Sequence, residues 1–278
     1  MKNKKRMKPS VFIRKYWRLI FGGTIIGIII LCSIFAPLLT KCDPELVDTS
    51  IKKAMMSPEH PFGTDNLGRD IWARILYGSR NTLIIAIGAE LLCTVAGAVL
   101  GLLCGYYKKV EKFLMRFLDA FSTIPNLLLC MMMVSIFGAG IPNLIIALSI
   151  GGIPGTARMV RNQVLSIKEK EYVESEIAMG ASDARIIFKH ILPNCFSYLI
   201  VRFSNGLSGS VMSMTSLSFL GLGLDPTKAS WGGIVNEAQD YMFARPHVLV
   251  AVTVAISLTV LGFSILGDGV RDLLDPKL

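Results

Sequence analysis

Asn81–Tyr107 reads NTLIIAIGAELLCTVAGAVLGLLCGYY, a run of 27 residues whose only charge is Glu90. The apolar core of a bilayer is about 30 Å thick and takes roughly 20 consecutive apolar residues to cross as a helix. This run exceeds that length, which a soluble domain has no need of. Gly97, Gly101 and Gly105 recur every fourth residue within it. That spacing places three glycines on one helix face and lets a neighbouring backbone approach closely. Packing within the chain is the reading favoured over contact between subunits.

The neighbouring stretches repeat the pattern. Leu19–Leu39 and Val248–Leu266 carry no charge, Phe117–Phe137 only Asp119, and Ser197–Leu220 only Arg202. A shorter run, Ile141–Ala157, is interrupted by Gly151, Gly152, Pro154 and Gly155. It reads as one more helix, with a re-entrant loop as the alternative. Every span must be helical, because lipid cannot satisfy an open sheet edge. The expected fold class is therefore an all-α integral membrane protein with six transmembrane helices. A basic tail, residues 1–18, precedes one transmembrane domain, residues 19–278. Polar segments fall at about 40–80, 158–194 and 221–246.

A formal net charge of +9 could suggest a nucleic-acid partner, but its distribution points elsewhere. With the amino terminus in the cytoplasm, six spans return the carboxyl terminus there. Twenty Lys and Arg residues then lie inside and eight outside. That asymmetry is the positive-inside signature and sets both termini in the cytoplasm. It needs no polyanion. The first span exceeds the length of a signal-peptide core. Lys41 also stands where a lipoprotein signal would need a small residue before Cys42.

Cys32, Cys93, Cys104, Cys130 and Cys195 lie in or beside apolar runs, where cysteine behaves as a small hydrophobe. Only Cys42 faces the outside. His60, His190 and His247 are far apart in sequence, and no zinc spacing occurs, so no metal site is expected in this chain.

The cytoplasmic segment carries the most specific pattern. Glu169–Phe188 reads EKEYVESEIAMGASDARIIF. Tyr172, Val173, Ile177, Ala178, Ile186 and Ile187 recur at roughly helical spacing, and Gly180 interrupts them. Ser182 fits a helix N-cap and Asp183 a first turn. The reading is a helix, a glycine turn and a second short helix, ended by Leu192-Pro193 before the fifth span.

Glu174, Gly180, Leu192 and Pro193 match the "EAA" loop of ABC importer permeases. Ser175 and Glu176 stand where that loop has two alanines, and His190 where it has isoleucine. Three further stretches resemble the dipeptide, oligopeptide and nickel permeases. They are HPFGTDNLGRD at 60–70, SFLGLG at 218–223 with Ser230-Trp231-Gly232 beyond it, and GDGVRDLLDP at 267–276. The resemblance covers the chain from about residue 10 to its end. It implies a permease subunit in the bacterial inner membrane, with ATPase coupling through Tyr172, Glu174, Ser175, Glu176, Ala178, Gly180, Ala181, Ser182, Leu192 and Pro193. It further implies a second, homologous permease as a heterodimer partner, two ATP-binding subunits and an external substrate-binding protein. Peptides lead as substrate, with nickel or a metal chelator as the alternative. No GxxxxGK[ST] pattern occurs, so ATP and Mg are expected on the partner ATPases.

These motifs also have a structural reading. Gly63, Gly68, Gly221 and Gly223 suit tight turns, and Asp65, Arg69 and Asp70 could brace the external loop. Asp268, Arg271, Asp272 and Asp275 could cap the last span.

Two rival functions use other residues. Gly206-Leu207-Ser208-Gly209 fits the GxSG of rhomboid intramembrane proteases, with His247 the candidate base. Ser208 lies near mid-span and His247 at a span edge, about ten ångströms apart in depth at 1.5 Å per residue. A channel or proton-coupled carrier would use the intramembrane charges Glu90, Asp119 and Arg202. Asp119 reads as near the cytoplasmic edge and Arg202 as snorkelling inward. Glu90 is the deepest, and is the candidate for a pathway or interhelix role with Ser204, Asn205, Ser208, Met212 and Thr215. Met131, Met132, Met133, Met212 and Met214 could supply adaptable apolar walls.

Overall fold

A computed structural model describes residues 9–274, with side chains from Tyr16 onward. Residues 1–8 of the basic tail, and Asp275 with the residues after it, lie outside the described residues. Helix α1 (Pro9–Ile34) kinks at Tyr16 and is followed by the single turn α2 (Ala36–Leu39). Then come α3 (Ile71–Tyr106), α4 (Lys108–Ser122), α5 (Asn126–Phe137), α6 (Ile141–Ile150) and α7 (Ile153–Lys168). The chain continues through α8 (Glu171–Ala178), the short turn α9 (Asp183–Arg185) and a π-helical stretch (Ile186–Ile191). It ends with α10 (Leu192–Phe219), α11 (Trp231–Ala238) and α12 (Pro246–Leu274).

Four helices are long and apolar enough to cross a bilayer: Tyr16–Ile34, Ile71–Tyr106, Asp183–Phe219 and Pro246–Leu274. Two bent pairs, α4 with α5 and α6 with α7, raise the number to six if each pair is one span. The six expected spans are thus present in outline, with two corrections. The third is not regular: α4 and α5 meet at 90°. Pro125 has no N–H to continue the helix and disfavours helical geometry at Ile124, so the chain turns there although no charge interrupts the run after Asp119. The fourth bends by 51° at Gly151-Gly152, then runs on as α7 well past Ala157.

Helix α3 begins ten residues before the apolar run that announced it. Asp70 caps it, its carboxylate accepting the Ala73 amide at 2.7 Å. The glycine stripe packs within the chain, as expected. A Cβ on Gly97, Gly101 or Gly105 would fall 2.5–2.6 Å from Thr156, from Val160 and the Ala157 carbonyl, or from Val164. The contacts advance together along both helices, so α3 and α7 run parallel. On the other side α1 and α12 pack antiparallel, Gly22 against Leu266 and Gly269 against Leu19.

The segment 40–70 and α11 gather at the amino-terminal end of α3, the loop end. Gly63 and Gly68 hold φ of +73° and +80° there, each against a carbonyl that a side chain would strike. Gly221 also takes positive φ; Gly223 does not, and is instead kept free of a side chain by Ser218. Helix α8 and its neighbours form a knob at the opposite end.

Leu192-Pro193 does not stop a helix. Pro193 sits in the first turn of α10, and the π-helical stretch leads straight into it, so helix runs unbroken from Asp183 to Phe219. The acidic residues near the carboxyl terminus do not follow the last span either. Asp268, Arg271 and Asp272 lie within α12, and Asp272 accepts from Arg18 of α1 at 3.0 Å.

Candidate functional site

The knob is built by a local code. Helix α8 ends at Ala178, Gly180 turns the chain with φ +77°, and Ser182 caps α9 by accepting the Arg185 amide. Val173 and Ile186 are buried in one cluster with Ala98, Leu102 and Tyr106 of α3 and Val160 and Val164 of α7. One polar contact clamps the knob to α3, and a second ties the end of α7 there. Tyr106 donates to Asp183 at 2.7 Å, and Lys168 donates to the Tyr106 carbonyl at 3.1 Å while lying over its ring.

The apolar positions expected on one face divide in two. Val173, Ile186 and Ile187 point inward, whereas Tyr172, Ile177 and Ala178 are exposed, beside a Met179 that is 74% exposed. Glu174, Ser175, Gly180, Ser182 and Pro193 are also exposed. Ala181 and Leu192 are partly buried and pack on the cluster beneath. Glu176 turns toward the segment after Gly180, 3.5 Å from Arg185 and 3.5 Å from His190.

The second constellation lies between α3 and α10. Glu90 is buried, and Arg202 does not snorkel: its Nη1 donates to Glu90 Oε1 at 2.8 Å. Ser210 donates to Glu90 Oε2 at 2.9 Å. Arg202, Gly206, Ser210 and Ser213 share one face of α10, and with Glu90 they line a cavity of about 270 Å³. A Cβ on Gly206 would lie 2.0 Å from Glu90 Oε1, so this approach requires glycine. A second cavity, about 350 Å³, adjoins the α4–α5 elbow and the α6–α7 break and is lined by Arg158 and again by Arg202. Arg158 there lies 3.5 Å from Asp119 and donates to Ser122 at 3.0 Å.

The residues nominated beside Glu90 do not join it. Asn205 faces α12, where a Cβ on Gly267 would meet its Oδ1 at 2.1 Å. Ser204 is buried, and the Ser208 hydroxyl donates to the Asn205 carbonyl. Met212 is about half exposed, and Thr215 adjoins Gly232 of α11. Met214 is fully buried in the core, with Met131 and Met133 packed against it.

The comparisons match this architecture. Residues 97–278 match the family described as "Binding-protein-dependent transport system inner membrane component". The chain belongs to that family. A glutathione transport system permease protein of Pectobacterium atrosepticum is 40% identical over 274 residues, covering 95% of this chain and 91% of its own. The Salmonella typhimurium protein of the same name is 42% identical, covering 96% and 88%. A dipeptide transport system permease protein of Alkalihalophilus pseudofirmus is 37% identical, covering 93% and 86%. Among solved structures, the inward-facing MetNI methionine ABC transporter shares the fold. Its TM-score is 0.61 at 22% identity, covering 73% of this chain and 96% of that one. The protein is a permease subunit of an ABC importer.

The loop end of the permease is held by a network only part of which the sequence suggested. Arg69 Nε meets Asp65 at 2.7 Å, as expected, and its Nη2 meets Glu237 of α11 at 2.9 Å. Arg74 pairs with both Asp65 and Glu237. Asp65, Arg69 and Arg74 are all buried. Asp70 takes no part; it pairs with His60 at 2.9 Å and caps α3. Trp231 donates its indole N–H to the Ile75 carbonyl at 3.0 Å. Tyr241, buried beneath the loops, has its phenol pushed up to about 12 by that burial, with Asp65 and Glu237 adding to the shift.

Cys42, His60 and Asp70, distant in sequence, bring their ligating atoms within 4.8 Å of one another. Dispersal of the histidines along the chain was therefore too narrow a criterion for metal ligands. In this arrangement His60 Nδ1 and both Asp70 oxygens are already hydrogen-bonded. The serine-protease elements stay apart: Ser208 contacts Asn205, whereas His247 lies 3.3 Å from the Phe62 carbonyl.

Proposed function

We propose that the permease forms half of a path by which di- or oligopeptides enter a bacterial cell, driven by ATP hydrolysed on separate subunits. The observation that carries this reading is the knob. Its outer surface presents Tyr172, Ile177 and Met179, while its inner surface is cemented to α3, α7 and α10. A rigid element that exposes large apolar side chains among polar ones and is continuous with the spans inside suits a partner that must push on the membrane domain. The expected complex contains this permease, a second homologous permease, two ATP-binding subunits carrying ATP and Mg, and an external binding protein. The knob and both termini face the cytoplasm in this reading, in accord with the twenty-to-eight division of basic residues. The named relatives transport glutathione and dipeptides by their names. Peptides are therefore carried forward as the substrate class, and nickel is not.

Gly180→Pro tests the coupling. Its φ of +77° is closed to proline, which is fixed near −65°. The expected result is an assembled complex whose ATPase activity no longer responds to substrate and whose uptake is largely lost. Undiminished, ATP-dependent uptake by Gly180→Pro would rule the knob out as the coupling element.

A further inference from the structure

We infer that Arg202 is the substrate-contacting residue of this permease, and that it takes a carboxylate group of the molecule being transported. Arg202 stands about a third of the way along α10, deep in an apolar run, where a charge is costly and is retained for a task. One task is visible, the contact with Glu90, but it uses Arg202 incompletely. Only Nη1 is engaged, in a single-point bond. Among the described residues its guanidinium has no other protein acceptor. A guanidinium offers five N–H groups in a planar fork suited to a bidentate carboxylate.

The unspent donors face open space. Arg202 lines both the 270 Å³ cavity and the 350 Å³ cavity, and only Asn126 and Gly152 are shared with it. Its Nη2 lies on the Gly152 side, 3.7 Å from where a Cβ there would stand. The wall there is the Gly152 backbone with the Cys93 thiol beside it, and neither is an acceptor that takes up the free side of the fork. The side chain as a whole is 27% exposed, whereas that of Glu90 is 6%.

Charge decides what the site takes. Glu90 is nearly closed off, its side chain 6% exposed and its oxygens turned to Arg202 and Ser210, so a cation has little access to it. Arg202 is the partner with capacity, and the occupant is an anion. The Glu90–Arg202 pair is neutral overall, and the other polar groups of the smaller cavity, among them Asn126, Ser210 and Ser213, are uncharged. That suits a monoanionic carboxylate better than a phosphate dianion.

This inference rests on the permease reading for the direction of movement, but not for occupancy. The test uses the assembled importer in lipid nanodiscs and in proteoliposomes. The probes are the dipeptide Ala-Ala and its carboxyl-terminal amide. Occupancy is read by protection of a cysteine placed by Ser213→Cys in the cavity wall against a small maleimide. Uptake is read separately. Expected is protection by Ala-Ala at least about ten-fold stronger than by the amide, since a site with an unpaired donor discriminates against a ligand lacking the acceptor charge. Arg202→Gln should abolish the difference and Arg202→Lys should retain part of it. Because Arg202→Gln leaves Glu90 without its partner, the double substitution Glu90→Gln with Arg202→Gln is the control for folding, and it too should lose the preference. Equal protection by acid and amide, or a preference that survives Arg202→Gln or the double substitution, overturns the assignment. Carboxylate-dependent protection without any dipeptide uptake sustains the site and defeats the peptide reading instead.

Discussion

Gly206 shows how closely one residue controls the intramembrane site. Any side chain there enters the space of the Glu90 carboxylate. Gly206→Ala should separate Glu90 from Arg202, at a cost of about 1–3 kcal/mol for overpacking. The expected reading is a melting temperature lowered by several degrees and a loss of uptake beyond what stability explains. Gly209→Ala, with nothing within 4 Å of its new Cβ, is the matched control and should melt like the parent. Glu90 and Arg202 were each legible in the sequence as a charge in an apolar run. Their partnership was not. Hydrophobic periodicity identifies helices, but does not say which turn of α3 faces which turn of α10. Snorkelling was the default reading of an arginine with no visible partner, and the structure supplies one 112 residues away. For the same reason Ser204, Asn205 and Thr215 could be named with Glu90 only as polar residues of the fifth span, whereas the face that meets it is that of Arg202, Gly206, Ser210 and Ser213.

Among elements, the close-packing face of α3 was the most legible, because three glycines at four-residue spacing have one efficient use in a membrane helix; which helix fills it, α7 running parallel, was not. Gly101→Leu should unseat it, since the side chain would run into the Ala157 carbonyl as well as Val160. A carbonyl cannot step aside as a rotamer can. The permease should fail to accumulate in membranes, measured by immunoblot against the parent. The α8–α9 knob was legible for a similar reason, its Gly180 turn and Ser182 cap being local signals. What joins it to α3 was not. Tyr106 looked like the end of an apolar run, yet it holds Asp183. Tyr106→Phe keeps the ring and removes that bond. ATP hydrolysis by the assembled complex should then become less responsive to substrate, with the melting temperature shifted by only a few degrees, as suits one lost hydrogen bond of about 1–3 kcal/mol. The 90° elbow was hidden because no charge interrupts the run across it, although Pro125 marked the place.

Across the whole molecule, the loop end depends on charges taken out of water together. Asp65, Arg69 and Arg74 are buried, and Glu237 closes the network from α11. Removing one member leaves the others uncompensated. Arg74→Ala should destabilise the permease by about 3–5 kcal/mol, read as a marked fall in melting temperature in detergent. Lys228→Ala, which breaks only an exposed pair with Glu45, should leave it nearly unchanged. The sequence suggested that Asp65, Arg69 and Asp70 could pair locally, because they are close neighbours in one loop, and of these Asp65 and Arg69 do. It could not suggest Arg74 with Glu237, since that pairing exists only once α11 has been laid over the end of α3.

Helix α3 joins all three sites. Asp70 caps one end, Glu90 stands near its middle and Tyr106 holds the knob at the other. Its 36 residues span roughly 54 Å at 1.5 Å per residue. With Glu90 as fulcrum, the helix is a lever with arms of about 30 Å and 24 Å. A tilt of about 10° would carry the Tyr106 end about 4 Å one way and the Asp70 end about 5 Å the other. A single rigid rod would therefore make the two mouths of the bundle move in antiphase, one narrowing as the other widens, with the charged pair at the still point between them.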